Sequence, residues 1–425
     1  MKHNILIAAL MLCISPVANA ENAVQSGFYR DYWAQWDERI SNCRGRLRVN
    51  DTELSLNKNF GRRSEARANG LALIRIDEDL FALRSTELYL EIWGGHPHTA
   101  NKRFYLNGKQ RYDLPEVGTA AGRCTYDYPT IPVEVRHLVR GANALQFACD
   151  RGESFWGHFI LDNAALRCYL QPDHAALKAA GLVNFSAAVT VEGDPAAMGD
   201  TIRLSLSYPK NLKPHMLSVD YFARYFGFDD NGDGRQNDWH GYTQNRLPRN
   251  HVGTASVAPY TVSWNAAMIP SQPQPMAVRA VVHLKSGLKY ATEPTAGLSF
   301  AEGRSRVRMY RCSDMPVPFW SRASRVKKAT IELPADISNI SRARLMIKIW
   351  DGGEGSVDKP FRINGHAYDI TSHKAIHDVV FTVADVDPPH LSSGANTLTL
   401  LSDTTHHGIE VLLPGPVLVI RYEGE

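Results

Sequence analysis

Long apolar runs, cysteine and charge of one sign are all scarce in this chain of 425 residues. The 47 lysine and arginine residues nearly balance the 44 aspartate and glutamate residues, and the net charge of +3 is spread along the chain. This excludes a basic stripe for nucleic acid and a polybasic membrane anchor. Beyond residues 1–20 no apolar run is long enough to cross a bilayer, so we expect no membrane insertion. Long helical periodicity is scarce too, while glycine, proline and aromatic residues are plentiful, and the length implies two or three domains.

Familiar catalytic motifs are also missing, because the chain has no Gly-x-Ser-x-Gly elbow, no phosphate-binding loop and no His-Glu-x-x-His. Glycoside hydrolysis would need two carboxylates at a suitable separation, which is a property of the folded chain. The acidic candidates are Glu91, Asp113, Glu116, Glu153, Asp162, Asp220 and Asp238.

The start of the chain predicts export. Lys2 gives a short basic start, and residues 5–14 form an apolar run too short to span a bilayer comfortably. Residues 18–20 read Ala-Asn-Ala, a small-x-small cleavage site. We therefore expect residues 1–20 to be a secretory signal, with a mature chain that begins near Glu21 and is secreted or periplasmic.

An internal duplication organises most of the remaining chain. Residues 89–95 read Tyr-Leu-Glu-Ile-Trp-Gly-Gly and residues 347–353 read Ile-Lys-Ile-Trp-Asp-Gly-Gly; each leads to Phe-x-Leu/Ile-Asn-Gly, at 104–108 and 361–365. Gly-Ala-Asn-x-Leu follows in both copies, at 141–145 and 394–398. Apolar and polar residues alternate before each tryptophan, which is typical of a half-buried strand. Asn-Gly tolerates the positive φ of a tight hairpin, so each copy is predicted to be strands joined by turns.

This pattern of a strand ending in Asn-Gly, followed later by a Gly-x-Asn-x-Leu strand entry, is similar to the galactose-binding-like jelly rolls of β-galactosidases and carbohydrate-binding modules. The resemblance covers about residues 40–170 and 305–423. It implies two jelly-roll β-sandwiches. Many such domains only support larger enzymes, so the resemblance assigns no activity.

The segment between the repeats has a different rhythm. Residues 171–181 contain Pro172 and an alanine-rich turn of predicted helix. Pro-Tyr-Thr-Val-Ser-Trp at 259–264, a loop with several prolines and the run at 277–282 then resemble bacterial immunoglobulin-like domains. The predicted fold is thus all-β, with an N-terminal jelly-roll domain at 21–170, an Ig-like β-sandwich at 180–302 and a C-terminal jelly roll at 303–425. Such an Ig-like domain usually serves as a spacer.

The sharpest local motif lies in this middle segment. Asp229, Asn231 and Asp233 occupy positions one, three and five of an Asp-Asp-Asn-Gly-Asp-Gly loop, which is the opening half of an EF-hand-type calcium site. The twelfth position is His240 rather than glutamate, and Asp238 could supply the missing carboxylate. The alternative is a polar hairpin loop in which Asn, Gly and Asp are only good turn formers.

The cysteines allow several arrangements. Cys43, Cys124, Cys149 and Cys168 fall in the first repeat, and the sequence does not choose among their three pairings. The first and last strands of a jelly roll commonly lie together, so the resemblance favours Cys43 with Cys168 and Cys124 with Cys149. The alternative is that all are small buried hydrophobes. Cys312, in the second repeat, is predicted to be a buried free thiol.

The two repeats differ in their loops. His96 and His98 stand after the first Trp-Gly-Gly, where the second copy has Glu-Gly-Ser at 354–356. Trp156 and His158 follow in a later turn that matches Thr-His-His-Gly-Ile at 405–409 of the second copy. Aromatic faces pack against pyranose rings and imidazole bonds hydroxyl groups, so these four residues are the predicted carbohydrate-binding site. The alternatives are two solvated histidines, a weak metal pair, and a tryptophan in the core.

Two classes of function follow from these patterns. The first is a secreted carbohydrate-binding protein that takes a poly- or oligosaccharide through its N-terminal jelly roll. The second is a carbohydrate-active enzyme, either a glycoside hydrolase or a polysaccharide lyase. Tyr126 and Tyr128 beside His137 or His158 would suit lyase chemistry, because a Tyr or His removes the proton beside a uronate carboxylate that arginine binds. A structural cell-surface component is a third possibility.

Overall fold

The computed structural model describes residues 24–34, 47–49, 71–95, 99–116, 123–150, 159–323, 325–352, 357, 359–369, 378–404 and 408–423. Over these residues the chain is all-β, as predicted, with antiparallel sheets packed face to face. The predicted helix between the first repeat and the middle segment is present as α1 (Ala175–Ala179). Short 3-10 turns lie at Leu80–Ala82, Val135–His137, Lys210–His215 and Pro388–His390. In these described segments no helix is long and apolar enough to cross a membrane.

The first repeat forms two facing sheets. Its strands are β1 (Gly27–Trp33), β2 (Leu47–Val49), β3 (Leu71–Ile76), β4 (Leu83–Trp93), β5 (Ala100–Leu106), β6 (Gln110–Asp113), β7 (Tyr126–Asp127), β8 (Thr130–Val133), β9 (Gly141–Asp150) and β10 (Phe159–Leu170). One sheet has the order β3-β9-β5-β6, and the other contains β1, β10 and β4 side by side. Leu88, Leu90 and Ile92 alternate on β4 and pack against Phe104 and Phe147 of the facing sheet. The predicted alternation is therefore the inward face of this strand.

The middle segment continues the same sheet rather than forming an isolated layer. Its strands are β11 (Ala188–Val191), β12 (Thr201–Ser207), β13 (Met216–Phe226), β14 (Asn237–His240), β15 (Tyr242–Gln244), β16 (Leu247–Arg249), β17 (Gly253–Ala255), β18 (Val262–Asn265), β19 (Met276–Leu284), β20 (Lys289–Ala291) and β21 (Thr295–Leu298). β20 pairs with β1, so the largest sheet runs in the order β14-β13-β19-β20-β1-β10-β4-β7. Tyr221 and Leu204 accordingly belong to the same hydrophobic core as Leu88. The domain boundaries given by the sequence stay predictions.

The second repeat has its own core. Its strands are β22 (Val307–Arg311), β23 (Trp320–Ser321), β24 (Lys327–Leu333), β25 (Ile340–Asp351), β26 (Phe361–Ile363), β27 (His366–Tyr368), β28 (Asp378–Val386), β29 (Gly394–Leu400), β30 (Ile409–Val411) and β31 (Val417–Tyr422). β24, β29, β26 and β27 form one sheet, and β25 pairs with β31 in the facing sheet, as β4 pairs with β10 in the first repeat.

The duplication extends to individual hydrogen bonds. In the first repeat Asn107 donates through Nδ2 to the Asn143 Oδ1 atom at 3.0 Å, and its own Oδ1 accepts from the backbone N–H of Ala144. Asn364 and Asn396 repeat the first bond at 2.8 Å, and Asn364 Oδ1 likewise accepts from the backbone N–H of residue 397. Asn107 and Asn364 both have positive φ, of 52° and 48°. The Asn-Gly and Gly-x-Asn motifs thus form the same hydrogen-bonded arrangement of turn and strand in both repeats.

The predicted disulfides are wrong, because Cys124, Cys149 and Cys168 are free, buried thiols. Cys149 lies in the core of the first repeat and donates from Sγ to the Val49 carbonyl at 3.4 Å, whereas Cys124 belongs to a separate apolar cluster. Cys43 lies outside the described residues. Burial raises the pKa of all three thiols, so each behaves as a small hydrophobe. Cys312 is free as predicted, although it is only half-buried.

Candidate functional site

The largest sheet presents a polar, aromatic face on the side opposite its core. Phe28 of β1 and Ala34, directly after the strand, point into the core, whereas Tyr29, Asp31 and Trp33 alternate with inward-facing residues and line a cleft on the other side. Strands β10 and β4 of the first repeat and β13, β19 and β20 of the middle segment also contribute to this face. The segment carrying β14, β15 and β16 borders it. We call this space, which is open to solvent and bounded by β1, β19 and β15, the sheet-face cleft; its cavity volume is about 100 Å³.

Charged side chains on the floor of the cleft form a chain of ion pairs. Asp31 accepts from Lys289 Nζ at 2.7 Å and from Arg167 Nε at 2.9 Å, and Arg167 Nη1 donates to Glu87 at 2.7 Å. Burial alone would raise the pKa of Asp31, but Lys289 and Arg167 lower it to about 2. Tyr169 donates its hydroxyl proton to the same Glu87 carboxylate at 2.6 Å. Both carboxylates and both cations of this chain are therefore already neutralised.

A second carboxylate on the same face is also occupied. Asp220 Oδ2 lies 2.6 Å from His283 Nε2, and Asp220 Oδ1 accepts from the Thr254 hydroxyl at 2.7 Å. The pKa of Asp220 is lowered, since the His283 contacts and the Thr254 hydrogen bond outweigh the opposing effect of burial. A general acid in glycoside hydrolysis needs a raised pKa. Neither Asp31 nor Asp220 meets that requirement.

Arg279 is a buried cation in the cleft with an incomplete set of partners. It is only 6% exposed, and its Nη1 donates to the Val24 carbonyl at 2.6 Å. Its guanidinium carbon lies 4.2 Å from the centroid of the Trp239 ring, a cation–π geometry. The Nε atom is buried and makes no hydrogen bond, and no carboxylate among the described residues forms an ion pair with Arg279. Burial lowers the pKa of Arg279 to about 10, which leaves it charged at neutral pH.

A hairpin places a second arginine at the cleft. β15 and β16 are joined through Asn245 and Arg246, which both have positive φ, of 52° and 68°. That is the conformation of a type I′ turn, and it is unfavourable for arginine, which has a Cβ. The Asn245 N–H donates to Glu91 Oε2 at 3.1 Å and holds the turn against β4. Arg246 then lies 5.3 Å over the Trp33 ring.

Aromatic rings form the remaining wall of the cleft. Tyr128 and Tyr242 stack with their centroids 4.4 Å apart and an interplanar angle of 18°, and Trp33 meets Tyr89 edge-on at 6.0 Å. The Tyr89 hydroxyl donates to the Thr243 carbonyl. The Tyr128 hydroxyl is buried and has no hydrogen-bond partner in the part of the chain that the structure describes. Unpaired buried polar atoms cost free energy, so this hydroxyl and Arg279 Nε mark a place where a ligand would supply partners.

The candidate site residues given by the sequence do not all lie at one place in the structure. His96, His98, Trp156, His158 and Glu153 lie outside the described residues. Tyr128 and Asp220 line the sheet-face cleft. Other candidates have partners elsewhere: Tyr126 donates to Asp162 at 2.7 Å, Glu116 pairs with Lys102, Asp113 pairs with Arg111, and His137 Nδ1 lies 2.7 Å from the Tyr112 hydroxyl.

The predicted calcium loop is closed by its own backbone. Asp229 Oδ1 accepts from the N–H groups of Gly232 at 2.7 Å and Asp233 at 3.2 Å, and its Oδ2 accepts from Gly234 at 2.9 Å. Asn231 Oδ1 is 3.4 Å from the Asp233 N–H. These hydrogen bonds are typical of a tight polar turn. The loop geometry is therefore compatible both with a plain polar turn and with a calcium-binding loop.

A lysine from the second repeat lies against this loop. Lys348 is fully buried and donates from Nζ to the Tyr126 carbonyl at 2.7 Å, and its charge interacts with Asp229 and with Asp127 of β7. Gly232 makes this approach possible, since a Cβ there would lie 2.3 Å from the Tyr126 carbonyl oxygen and 2.5 Å from Lys348 Nζ. The first repeat, the middle segment and the second repeat therefore meet at one polar junction, and Lys348 supplies positive charge to its carboxylates.

Asp238, proposed as the further metal ligand, accepts from the Trp239 N–H at 2.7 Å through Oδ1, and its Oδ2 is buried without a hydrogen bond to any described residue. Burial and Asp233 raise the pKa of Asp238 to about 7. His240, at the twelfth position of the motif, directs Nε2 to the Tyr225 carbonyl at 2.9 Å. Within the described part of the chain, no three His, Cys, Asp or Glu side chains form a group that could hold a metal ion.

The sequence analysis did not predict Arg167 and Arg279 as residues of the site. It also did not predict the residues that β1 contributes, Tyr29, Asp31 and Trp33. A signal exists for the two arginines, because each interrupts an otherwise apolar strand, at 164–170 and 276–282. A charged residue in such a strand needs a partner or a function. The alternation of Tyr29, Asp31 and Trp33 with Phe28 and Ala34 is a similar, weaker signal.

No family model matches the chain, and no curated protein matches it. Among solved structures it is similar to a β-porphyranase of glycoside hydrolase family 86 from the human gut bacterium Bacteroides plebeius, with 14% identity over 55% of this chain and 36% of that one and a TM-score of 0.25. A β-glucuronidase from an uncultured Clostridium species has 11% identity over 73% and 50% of the two chains and a TM-score of 0.19. The fibronectin(III)-like modules of a Clostridium thermocellum protein have 13% identity over 51% and 94% and a TM-score of 0.17. The chain spans only part of either enzyme, and these scores carry no argument about activity.

Proposed function

We propose that the chain is an exported saccharide-binding protein whose ligand occupies the sheet-face cleft. The observation that supports this most is the unpartnered Tyr128 hydroxyl beside stacked aromatic rings. Saccharide sites combine flat aromatic faces, which pack against the apolar side of a pyranose, with a few fixed polar groups that bond its hydroxyls. Trp33 supplies a half-buried face and Tyr128 supplies a hydroxyl. The cleft uses strands of the first repeat, in agreement with the predicted N-terminal location.

The test is saccharide binding by a Trp33→Ala variant, first on a glycan array and then by calorimetry. Loss of the ring should weaken binding by ~1 to 3 kcal/mol. Trp320→Ala is the matched control, because Trp320 of the second repeat also lies under an arginine, Arg322, at 4.0 Å, but outside the cleft. Unchanged binding by Trp33→Ala, or a larger loss in Trp320→Ala, would move the site elsewhere. Arg246→Ala provides a second cleft variant at an exposed position.

Binding is favoured over hydrolysis because the two carboxylates that line the cleft among the described residues, Asp31 and Asp220, have lowered pKa values. Lyase chemistry is the second candidate, and the pairing of His283 with Asp220 at 2.6 Å supports it. A carboxylate-held imidazole can accept a proton from the carbon beside a uronate carboxylate. Appearance of an unsaturated product on incubation with polyuronates, lost in His283→Gln, would establish this alternative. Its absence in the wild type would leave binding alone.

The loop residues given by the sequence remain part of the proposal. His96 and His98 follow the end of β4, and Trp156 and His158 precede β10, so each loop adjoins one strand that contributes to the cleft. Trp156→Ala should weaken saccharide binding while preserving the fold. A variant that is insoluble or melts far lower would place Trp156 in the core.

Export and calcium binding are proposed on sequence grounds. Mass spectrometry of the exported protein should find a chain beginning near Glu21. Asp229, Asn231, Asp233 and Asp238 are the proposed calcium ligands, supported by their spacing. Calcium would have to share these carboxylates with the buried charge of Lys348. Chelator treatment should lower the melting temperature if calcium binds, and an unchanged melt together with no calorimetric heat would end the proposal.

A further inference from the structure

We infer that the saccharide bound in the sheet-face cleft is acidic, and that Arg279 binds its anionic group, a carboxylate or a sulfate ester. The inference rests on the proposed function and specifies the chemical class of its ligand.

Arg279 has fewer hydrogen-bond and ion-pair partners than a buried arginine normally has. A buried guanidinium is normally paired, because removing an ion from water costs several kcal/mol even after relaxation. Arg279 has one backbone carbonyl and the face of Trp239 as its partners. Its Nε–H is buried and has no acceptor among the described residues. A fully satisfied arginine would give no reason to expect a ligand there.

Neighbouring carboxylates are committed to other cations. Glu87 interacts electrostatically with Arg279 but is bonded to Arg167 and to the Tyr169 hydroxyl. Asp31 is bonded to Arg167 and Lys289. Arg167 itself disfavours a second positive charge close by. A rearrangement that gave Arg279 a carboxylate would leave Arg167 or Lys289 short of one.

The geometry of a guanidinium determines which ligand group Arg279 would bind. A guanidinium presents N–H donors in a planar fork that matches the oxygens of a carboxylate or sulfate, and an aromatic ring at its face does not occupy those donors. Arg246, stacked over Trp33, is a second guanidinium in the cleft that has no ion pair among the described residues. Two unneutralised arginines beside aromatic faces suit a sugar that carries both an apolar face and a negative group.

The experiment compares matched glycans on one array: oligogalacturonate with its methyl ester, and a sulfated carrageenan oligosaccharide with its desulfated form. The wild type should bind at least one acidic member about 10- to 100-fold more tightly than its neutral counterpart, the range for hydrogen bonds to charged groups. Preference within the uronate pair identifies a carboxylate, and preference within the carrageenan pair identifies a sulfate. Equal binding of acidic and neutral members would overturn the inference while leaving the saccharide site in place. Binding to no glycan of the array would count against the proposed function itself.

Arg279→Gln assigns the preference to this residue. It should lose the discrimination between acidic and neutral members. Arg203→Gln is the control, because Arg203 is exposed on β12, outside the cleft, and should behave as wild type. An Arg279→Gln protein that melts like the wild type and still prefers the acidic member would overturn the assignment. If Arg279→Gln fails to fold, Arg279→Lys, which keeps the charge but loses the fork, should show a reduced preference.

Discussion

Arg167 and Arg279 interrupt apolar strands in the same way, yet their surroundings differ. Arg167 bonds two carboxylates, whereas Arg279 bonds a carbonyl and stacks on Trp239. Arg167 therefore stabilises the fold through its ion pairs, whereas the contacts of Arg279 do not explain its burial. Functional sites often retain such groups at the expense of stability.

The first prediction concerns this pair. Arg167→Gln should lower stability by about 3 to 5 kcal/mol, because it leaves Asp31 and Glu87 buried with fewer partners. Arg279→Gln should change stability by less than about 1 kcal/mol, because it also removes the cost of burying an unpaired cation. Thermal and urea unfolding of the two variants at pH 7 measures the difference. Equal destabilisation would mean that Arg279 is a structural residue.

Local features of this molecule could be predicted from sequence, and the cleft could not. The turns at Asn107 and Asn364 follow from residues adjacent in the chain, since Asn-Gly itself favours positive φ. The pairing of Asp31 with Arg167 joins residues 136 positions apart, and their proximity depends on which strands become neighbours. Nothing local to Arg279 distinguishes it from Arg167. The disulfide prediction was wrong for the same reason, because Cys124 and Cys149 lie in different clusters of the fold.

At the scale of elements, the two repeats use the same strand for different contacts. Glu91 of β4 and Lys348 of β25 each stand two residues before the repeated tryptophan, and both are fully buried. Glu91 accepts from the N–H at the tip of the β15–β16 hairpin, and Lys348 reaches the junction with the Asp229 loop. Both repeats therefore hold the middle segment through one equivalent position. The duplicated strands supply Glu91 and Lys348, and the hairpin and the Asp229 loop of the middle segment supply the polar groups that these two residues contact.

The second prediction tests the close approach at this junction. Gly232→Ala should destabilise the protein by several kcal/mol, because the new Cβ would lie 2.3 Å from a backbone oxygen in addition to the strain of φ +77°. Gly297→Ala is the matched control, with φ +86° and no atom within 4 Å of the new Cβ. It should cost only ~1 to 2 kcal/mol, the conformational part. Similar melting temperatures for the two variants would show that the junction is not closely packed.

At the scale of the whole molecule, buried carboxyls concentrate near the contacts among the three parts of the chain. Burial raises the pKa of Asp127 to about 8, against the lowering effect of Lys348 and Lys102. Burial also raises the pKa of Glu410 to about 7, and Asp229 rises to about 6. These groups come from the first repeat, the second repeat and the middle segment. The junction is thus a place where the fold depends on protonation.

The third prediction is that acidification stabilises the protein. Asp127 keeps its proton in the folded state up to about pH 8, whereas the unfolded chain loses it near the ordinary value of 3.8. The folded state therefore binds more protons in that window, and stability falls as pH rises, by at most about 1.4 kcal/mol per pH unit for one carboxyl. The melting temperature should be higher at pH 5 than at pH 8. Asp127→Asn, which resembles the protonated acid, should flatten this dependence, and an unchanged slope would contradict the assignment.

The central claim is that the sheet-face cleft, and not the second repeat, holds the saccharide. The most direct measurement is a crystal structure of the protein with the tightest-binding acidic oligosaccharide from the array. We expect a sugar ring against Trp33 and an anionic oxygen within hydrogen-bond distance of Arg279. A ligand found only at the second repeat, or only around His96 and Trp156 with the cleft filled by solvent, would contradict it.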